Sequence, residues 1–166
     1  MEYPKRKVIR LPDYDYSTPG AYFVTICTQD RRRVLSEIVV GDGVPDIPCV
    51  RLLPAGRIVE ETLQNMVRQY PWLVLENHVI MPNHIHLLLR LEEEESRDER
   101  LPTHANERLP MLVSTLKRFS NKKSGRQLWQ RAYHEHVIRN EKDFCEIWAY
   151  IDTNPAKWAE DCYYTD

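Results

Sequence analysis

At 166 residues and a net charge of −2 the chain suits one domain with a proper core, and no stretch reaches the roughly 18 apolar residues of a membrane span. The start, Met1-Glu2-Tyr3-Pro4-Lys5-Arg6-Lys7, lacks the apolar centre of a signal peptide, so a cytoplasmic location is expected. Cys27, Cys49, Cys145 and Cys162 are scattered without a CxxC pair and read as reduced thiols, excluding a disulfide frame or a zinc cluster, while the near-neutral charge excludes an overall cationic coat but not a local basic patch.

Residues 1–20 are polar and proline-punctuated and read as an arm. Residues 21–28, rich in β-branched and aromatic side chains, predict the first strand, and Arg31-Arg32-Arg33 follows it. Glycines and prolines mark 40–54 as a loop with room for a short strand at 49–53. Ile58, Thr62, Leu63, Met66 and Val67 recur with helical period, predicting a helix over 56–69 that Pro71 stops. Residues 72–81 and 84–91 read as a hairpin of two strands. Residues 92–107 are acidic and without period, a flexible linker inside the domain. A helix beginning near Pro110 lines up Leu109, Leu112, Val113, Leu116 and Phe119, and 128–138 reads as a fourth strand or extended segment. The last helix, 141–153, would bury Phe144, Ile147, Trp148 and Ile151. Asn154-Pro155 ends it, because a residue before proline is pushed out of helical geometry. This order predicts an α+β, ferredoxin-like split βαβ sheet with helices on one face and an additional C-terminal helix, and neither a repeat nor a second domain.

Chemistry concentrates in two places. In Ile80-Met81-Pro82-Asn83-His84-Ile85-His86 the histidines alternate on a strand, so both imidazoles face one way, about 6–7 Å apart at the backbone, and can close on one divalent ion. The same spacing also suits surface or hydrogen-bonded core histidines; the bend at Pro82-Asn83 places the pair at a rim that a substrate can reach. On the last helix Tyr150 and Asn154 stack one turn apart, about 6 Å along the axis. Tyr150 lies beside the apolar stripe. A phenol is a weak nucleophile at its free pKa, but beside a metal that polarises a phosphoryl group it can attack; the plain alternative is a tyrosine straddling the core boundary. Between 117 and 139 seven basic residues (Lys117, Arg118, Lys122, Lys123, Arg126, Arg131, Arg139) face one acid, Glu135, with Trp129, Tyr133 and His134 interleaved. Cations that follow phosphates and rings that stack on bases suit single-stranded nucleic acid, and Arg31 and Arg32 extend that surface. His78 reads as packed or hydrogen-bonded, His104 as solvated, and His134 and His136 as structural or nucleic-acid-facing.

Taken together, the histidine motif, Tyr150-Ile151-Asp152-Thr153-Asn154-Pro155, the strand Tyr22-Phe23-Val24-Thr25-Ile26-Cys27-Thr28 with Arg31-Arg32, and Trp129-Gln130-Arg131-Ala132-Tyr133-His134-Glu135-His136-Val137-Ile138-Arg139 resemble the HUH single-tyrosine transposases, the insertion-sequence 200-like family, and within it the REP-associated branch. The resemblance implies that His84, His86 and Asn154 bind Mg²⁺ or Mn²⁺, with Asn154 where many members carry glutamine. It implies that Tyr150 attacks a scissile phosphate of single-stranded or hairpin DNA, forming a 5′-phosphotyrosine and freeing a 3′-hydroxyl. An oxygen ligand beside phosphate oxygens suits those hard ions better than zinc. A homodimer sharing active sites and a monomer both fit the pattern. A competing reading keeps the ferredoxin-like fold as a domesticated or inactive DNA/RNA-binding module without strand cleavage. A histidine-triad hydrolase is excluded, since Leu88 stands where its third histidine would be.

Overall fold

Alternation of apolar side chains along Gly20–Cys27 (β1) puts Tyr22, Val24 and Ile26 on one face of a sheet, each fully buried. The computed structural model describes residues 11–40, 47–93 and 107–165. Residues 1–10 of the expected arm, 94–106 of the expected linker and His104 lie outside that set. After β1 come Ser36–Val40 (β2), Pro48–Leu52 (β3), the helix Pro54–Gln69 (α1), Leu73–Ile80 (β4), His84–Leu91 (β5), the helix Arg108–Ser124 (α2), His134–Ile138 (β6) and the helix Glu141–Thr153 (α3). The main sheet runs β4-β5-β1-β6 with every neighbour antiparallel. This is the split βαβ order expected, since β5 inserts between β1 and the β4 that follows it through α1.

The central strand β5 is buried on both faces and thereby separates two cores. Ile85, Leu87, Leu89 and Leu91 meet α1 and α2 together with Leu63, Met66, Leu112 and Leu116. Each such side chain contributes about 1.5–3 kcal/mol on burial. His84, His86 and Leu88 face the other way, where Val79, Met81, Ile151 and Trp158 form a smaller core under α3. Helices therefore cover both faces in part: α3 lies across β4 and β5 on the histidine side.

Several expectations are corrected in detail. The expected loop over 40–54 is cut at its start by a strand the sequence did not announce, β2, which takes in Val40 and pairs with β3, the short strand expected at 49–53, as a hairpin whose Ile38 and Val50 pack on the smaller core. Residues 11–19 are not a free arm: Tyr16 is 3 % exposed in the main core, and the hydroxyl of Tyr22 donates to Thr18 O at 2.5 Å. Phe119 and Trp148, placed on buried faces by their period, are exposed, and Ser120 takes the inward position on α2. The regular part of the fourth strand is shorter than 128–138, because Leu128 and Trp129 turn into the core through an isolated bridge from Trp129 to Thr28. Asn154 retains helical torsions (φ −58, ψ −42) in front of Pro155, and the chain tightens there into a 3-10 turn, Pro155–Glu160.

Two local features fix the helices. A Cβ on Gly56 would stand 2.0 Å from Leu35 O, so only glycine lets the first turn of α1 press against that carbonyl. In β4 the pairing shifts between Leu75 and Asn77, a bulge at Glu76. Beyond it Asn77 Nδ2 donates to Asp152 Oδ1 at 2.8 Å, tying the sheet to the end of α3, while His78 turns to the opposite face and lies 2.7 Å from Glu60 Oε2 of α1.

Candidate active site

The bend Met81-Pro82-Asn83 starts β5 with both imidazoles on the α3 face, His84 fully buried and His86 1 % exposed. Asn83 Nδ2 donates to Tyr163 O at 2.8 Å, which turns Asn83 Oδ1 toward His84 Nδ1, 2.9 Å away. That oxygen can only accept, so His84 Nδ1 carries the proton and Nε2 keeps a lone pair aimed into the site. His86 Nδ1 lies 2.8 Å from Thr25 Oγ1, which leaves its Nε2 inward as well. The two Nε2 atoms are 3.0 Å apart, the spacing of adjacent corners around an octahedral ion with ligand bonds of about 2.1 Å. Burial drives the pKa of His84 down to about 4, with Arg31 acting in the same direction and Asp161 and Asn154 opposing it. Burial and then the neighbouring His84 hold His86 well below the ordinary value. Both rings are therefore neutral at physiological pH, the form that ligates metal.

The capped helix α3, where Asn140 Oδ1 accepts from Asp143 N at 2.9 Å, carries Tyr150 over this pair. Its hydroxyl lies 3.4 Å from His86 Nε2 within the same chain. Burial raises the phenol's pKa, Asp161 and Cys162 add to the rise, and Asn154 works against it. One turn on, Asn154 is 2 % exposed. Its Nδ2 donates to Asp161 Oδ2 at 2.9 Å, yet its buried Oδ1 completes no hydrogen bond, an unsatisfied acceptor of the kind a cation resolves. The donor set of two imidazole nitrogens and an orphaned amide oxygen thus fits a divalent ion. His84, His86, Tyr150 and Asn154, expected from the sequence, are brought together by the fold.

Sequence reasoning missed two participants in the segment after α3. Asp161, its side chain 2 % exposed, places Oδ2 3.9 Å from His84 Nε2, and the Tyr163 ring packs at a tilt of 38° against that of His84, centroids 4.7 Å apart. Neither stands in a periodic pattern; an acid eleven residues after the tyrosine carries no signal unless the turn at Pro155 is foreseen. Tyr150 and Asp161 also border a hollow of about 270 Å³ with Lys157 and Glu160.

The candidate DNA residues divide. The loop after α2 returns to the end of β1, where Gln130 N donates to Cys27 O at 3.0 Å and Cys27 pairs with His84. Arg31, Arg32, Arg126 and Arg131 are exposed near that end. Arg31 follows Asp30 in left-handed backbone (φ 52 and 56), and its guanidinium stands 5.6 Å over the Tyr163 ring. Trp129, by contrast, is fully buried and donates to Ser120 Oγ at 2.8 Å, which removes it as a ring for stacking on bases. Lys117 is half-buried and spends its ammonium on the carbonyls of Gln130 and Arg131 at 2.9 and 3.0 Å; burial lowers its pKa to about 8. Tyr133 packs against the core and under Lys117. Arg118, Lys122 and Lys123 are exposed on α2, on the sheet face away from the histidines, with Lys123 3.1 Å from Glu61. Arg139 follows Ile138, which pairs with Ala21, about 20 Å along β1 from the His84 end.

No protein-family model matches the chain. An uncharacterised Haemophilus influenzae protein is 30 % identical, covering 97 % of this chain and 94 % of its own length. A second protein of that organism, inferred to be a REP-associated tyrosine transposase, is 27 % identical over 86 % of this chain and 74 % of its own. A solved structure of a REP-associated tyrosine transposase bound to a REP hairpin superposes with a TM-score of 0.61 over 89 % of this chain and 73 % of that one, at 21 % identity, a likeness of fold. Among the described residues no helix is long and apolar enough to cross a membrane.

Proposed function

The chain is a relative of the HUH single-tyrosine transposases of the REP-associated branch, and on that premise we propose that it nicks and rejoins single-stranded or hairpin DNA through Tyr150. The observation that carries this reading is the approach of the Tyr150 hydroxyl to His86 Nε2, 3.4 Å, over a pair of neutral imidazoles. A divalent cation, Mg²⁺ or Mn²⁺, held by His84, His86 and Asn154 would supply a Lewis acid for a phosphate oxygen and for the developing phenolate. Tyr150 Oη bonds to phosphorus as the bond from phosphorus to the 3′ oxygen breaks; the phenol loses its proton and the departing 3′ oxygen gains one. The product is a 5′-phosphotyrosine and a free 3′-hydroxyl, and attack by a 3′-hydroxyl reverses the step without ATP. Asn77, through Asp152, holds the α3 turn that carries the nucleophile, and Arg31 and Arg131 offer cations to the phosphates flanking the cleaved one.

Incubation with 5′- and 3′-labelled hairpin DNA and Mn²⁺ tests the reading on denaturing gels. A covalent adduct on the 3′-side fragment, absent in Tyr150→Phe, is expected. A second reading, hairpin binding without cleavage, draws on the exposed cations Arg31 and Arg131 beside the site. It predicts hairpin affinity with no adduct under either metal, and that result would refute the strand-transfer proposal.

A further inference from the structure

Neutral ligands alone make a poor cage for a buried dication. Two imidazoles and an amide bring no charge, and a hard ion such as Mn²⁺ or Mg²⁺ favours a carboxylate oxygen. Asp161 is placed to supply one. Its Oδ1 accepts from Tyr163 N at 2.7 Å and its Oδ2 from Asn154 Nδ2 at 2.9 Å, so the carboxylate is oriented from both sides. Oδ2 then stands 3.9 Å from His84 Nε2. That is too far for a hydrogen bond, yet between the separations of cis and trans ligands on one ion, about 3.0 and 4.2 Å. Ligand atoms of His84, His86 and Asp161 all lie within 4.8 Å of one another, and bringing Oδ2 to a cis position beside His84 takes about 0.9 Å of side-chain movement. The independent sign of an ion here is Asn154 Oδ1, buried and unpartnered beside them.

We infer that Asp161 is an anionic ligand of the metal, so that the segment following α3 is a structural part of the metal site and not a tail lying beside it. The inference rests on the strand-transfer reading for the presence of a metal. It adds a carboxylate to the two histidines, giving a two-histidine, one-carboxylate set with open positions for phosphate oxygen and water.

The test measures metal and not cleavage. Mn²⁺ affinity is determined by calorimetry, and by electron paramagnetic resonance of free Mn²⁺, on the full chain, Asp161→Asn and His84→Ala; thermal unfolding in EDTA checks that each variant is folded. Asp161→Asn keeps the shape of the side chain and one of its two accepting oxygens but removes the charge, and is expected to weaken Mn²⁺ at least about tenfold. Crystals of the unaltered chain soaked in Mn²⁺ are expected to show an anomalous peak bonded to Asp161 and both histidines. Unchanged affinity in folded Asp161→Asn, or an ion on the histidines that leaves Asp161 uncoordinated, overturns the inference while leaving the strand-transfer reading standing. Mn²⁺ binding indifferent to His84→Ala, with no adduct on DNA, overturns both.

Discussion

Acidifying the metal-free protein from about pH 7.5 to about pH 5 is expected to destabilise it through His84. In the native state burial holds that imidazole neutral, with a pKa of about 4, whereas in the unfolded chain it titrates near 6.5. The depressed native value fixes the sign. Below pH 6.5 the unfolded state takes up a proton that the native state refuses, so stability falls as pH falls, until the native imidazole also titrates near pH 4. At pH 5 the difference amounts to about 2 kcal/mol for His84 alone. His86, held down by burial and by His84, adds in the same direction. The assay is urea unfolding in EDTA at the two pH values, for the unaltered chain and for His84→Gln, which keeps a polar side chain in place without a titrating ring. The expected result is a loss on acidification that is about 2 kcal/mol smaller in His84→Gln. Parallel pH dependence in the two proteins would show that His84 is readily protonated in the folded state, and the argument for a preformed neutral pair would fail.

Gly56→Ala should lower stability by about 2–3 kcal/mol in chemical denaturation, because the added methyl meets the backbone carbonyl of Leu35, which has no rotamer in which to yield. Ser120→Ala strands the buried Trp129 Nε1–H that it now accepts, at an expected cost of about 1–3 kcal/mol by the same measurement; a neutral result would mean that the indole finds another acceptor. Asn77→Ala releases the end of α3 from β4 and should slow adduct formation about tenfold with hairpin affinity unchanged in a gel-shift titration, the behaviour of a positioning residue.

The fold was legible where burial is written into the local pattern: the unbroken apolar run of β5, buried on both faces, and the 3.6-residue period of α1, buried on one, gave their positions directly. The β2–β3 hairpin was hidden because Val39, Val40, Val50 and Leu52 are interleaved with the glycines and prolines of a loop, and because its burial is shared with Trp158, more than a hundred residues away. At the site, His84, His86, Tyr150 and Asn154 could be found because motif spacing encodes a shared face. Asp161 could not, since its approach depends on the turn after Asn154, where the residue before proline keeps helical torsions against its usual preference. Trp129 and Lys117 show the converse error. Composition marks a segment as basic and aromatic, but it does not tell a side chain spent on its own fold from one offered to a partner.

The extra residue in β4 constrains how the chain's length can change. Leu73 and Leu75 face the α1–α2 core, and after Glu76 so do His78 and Ile80, while Asn77 and Val79 face the histidine side. Removing Glu76 would leave Leu73 and Leu75 on the α1–α2 side and Asn77 and Val79 on the histidine side in an unbroken ladder, whereas removing Val79 would turn Ile80 out of the α1–α2 core. The strand can therefore shorten by one residue at its irregularity, and only at the cost of a misplaced side chain elsewhere along its length.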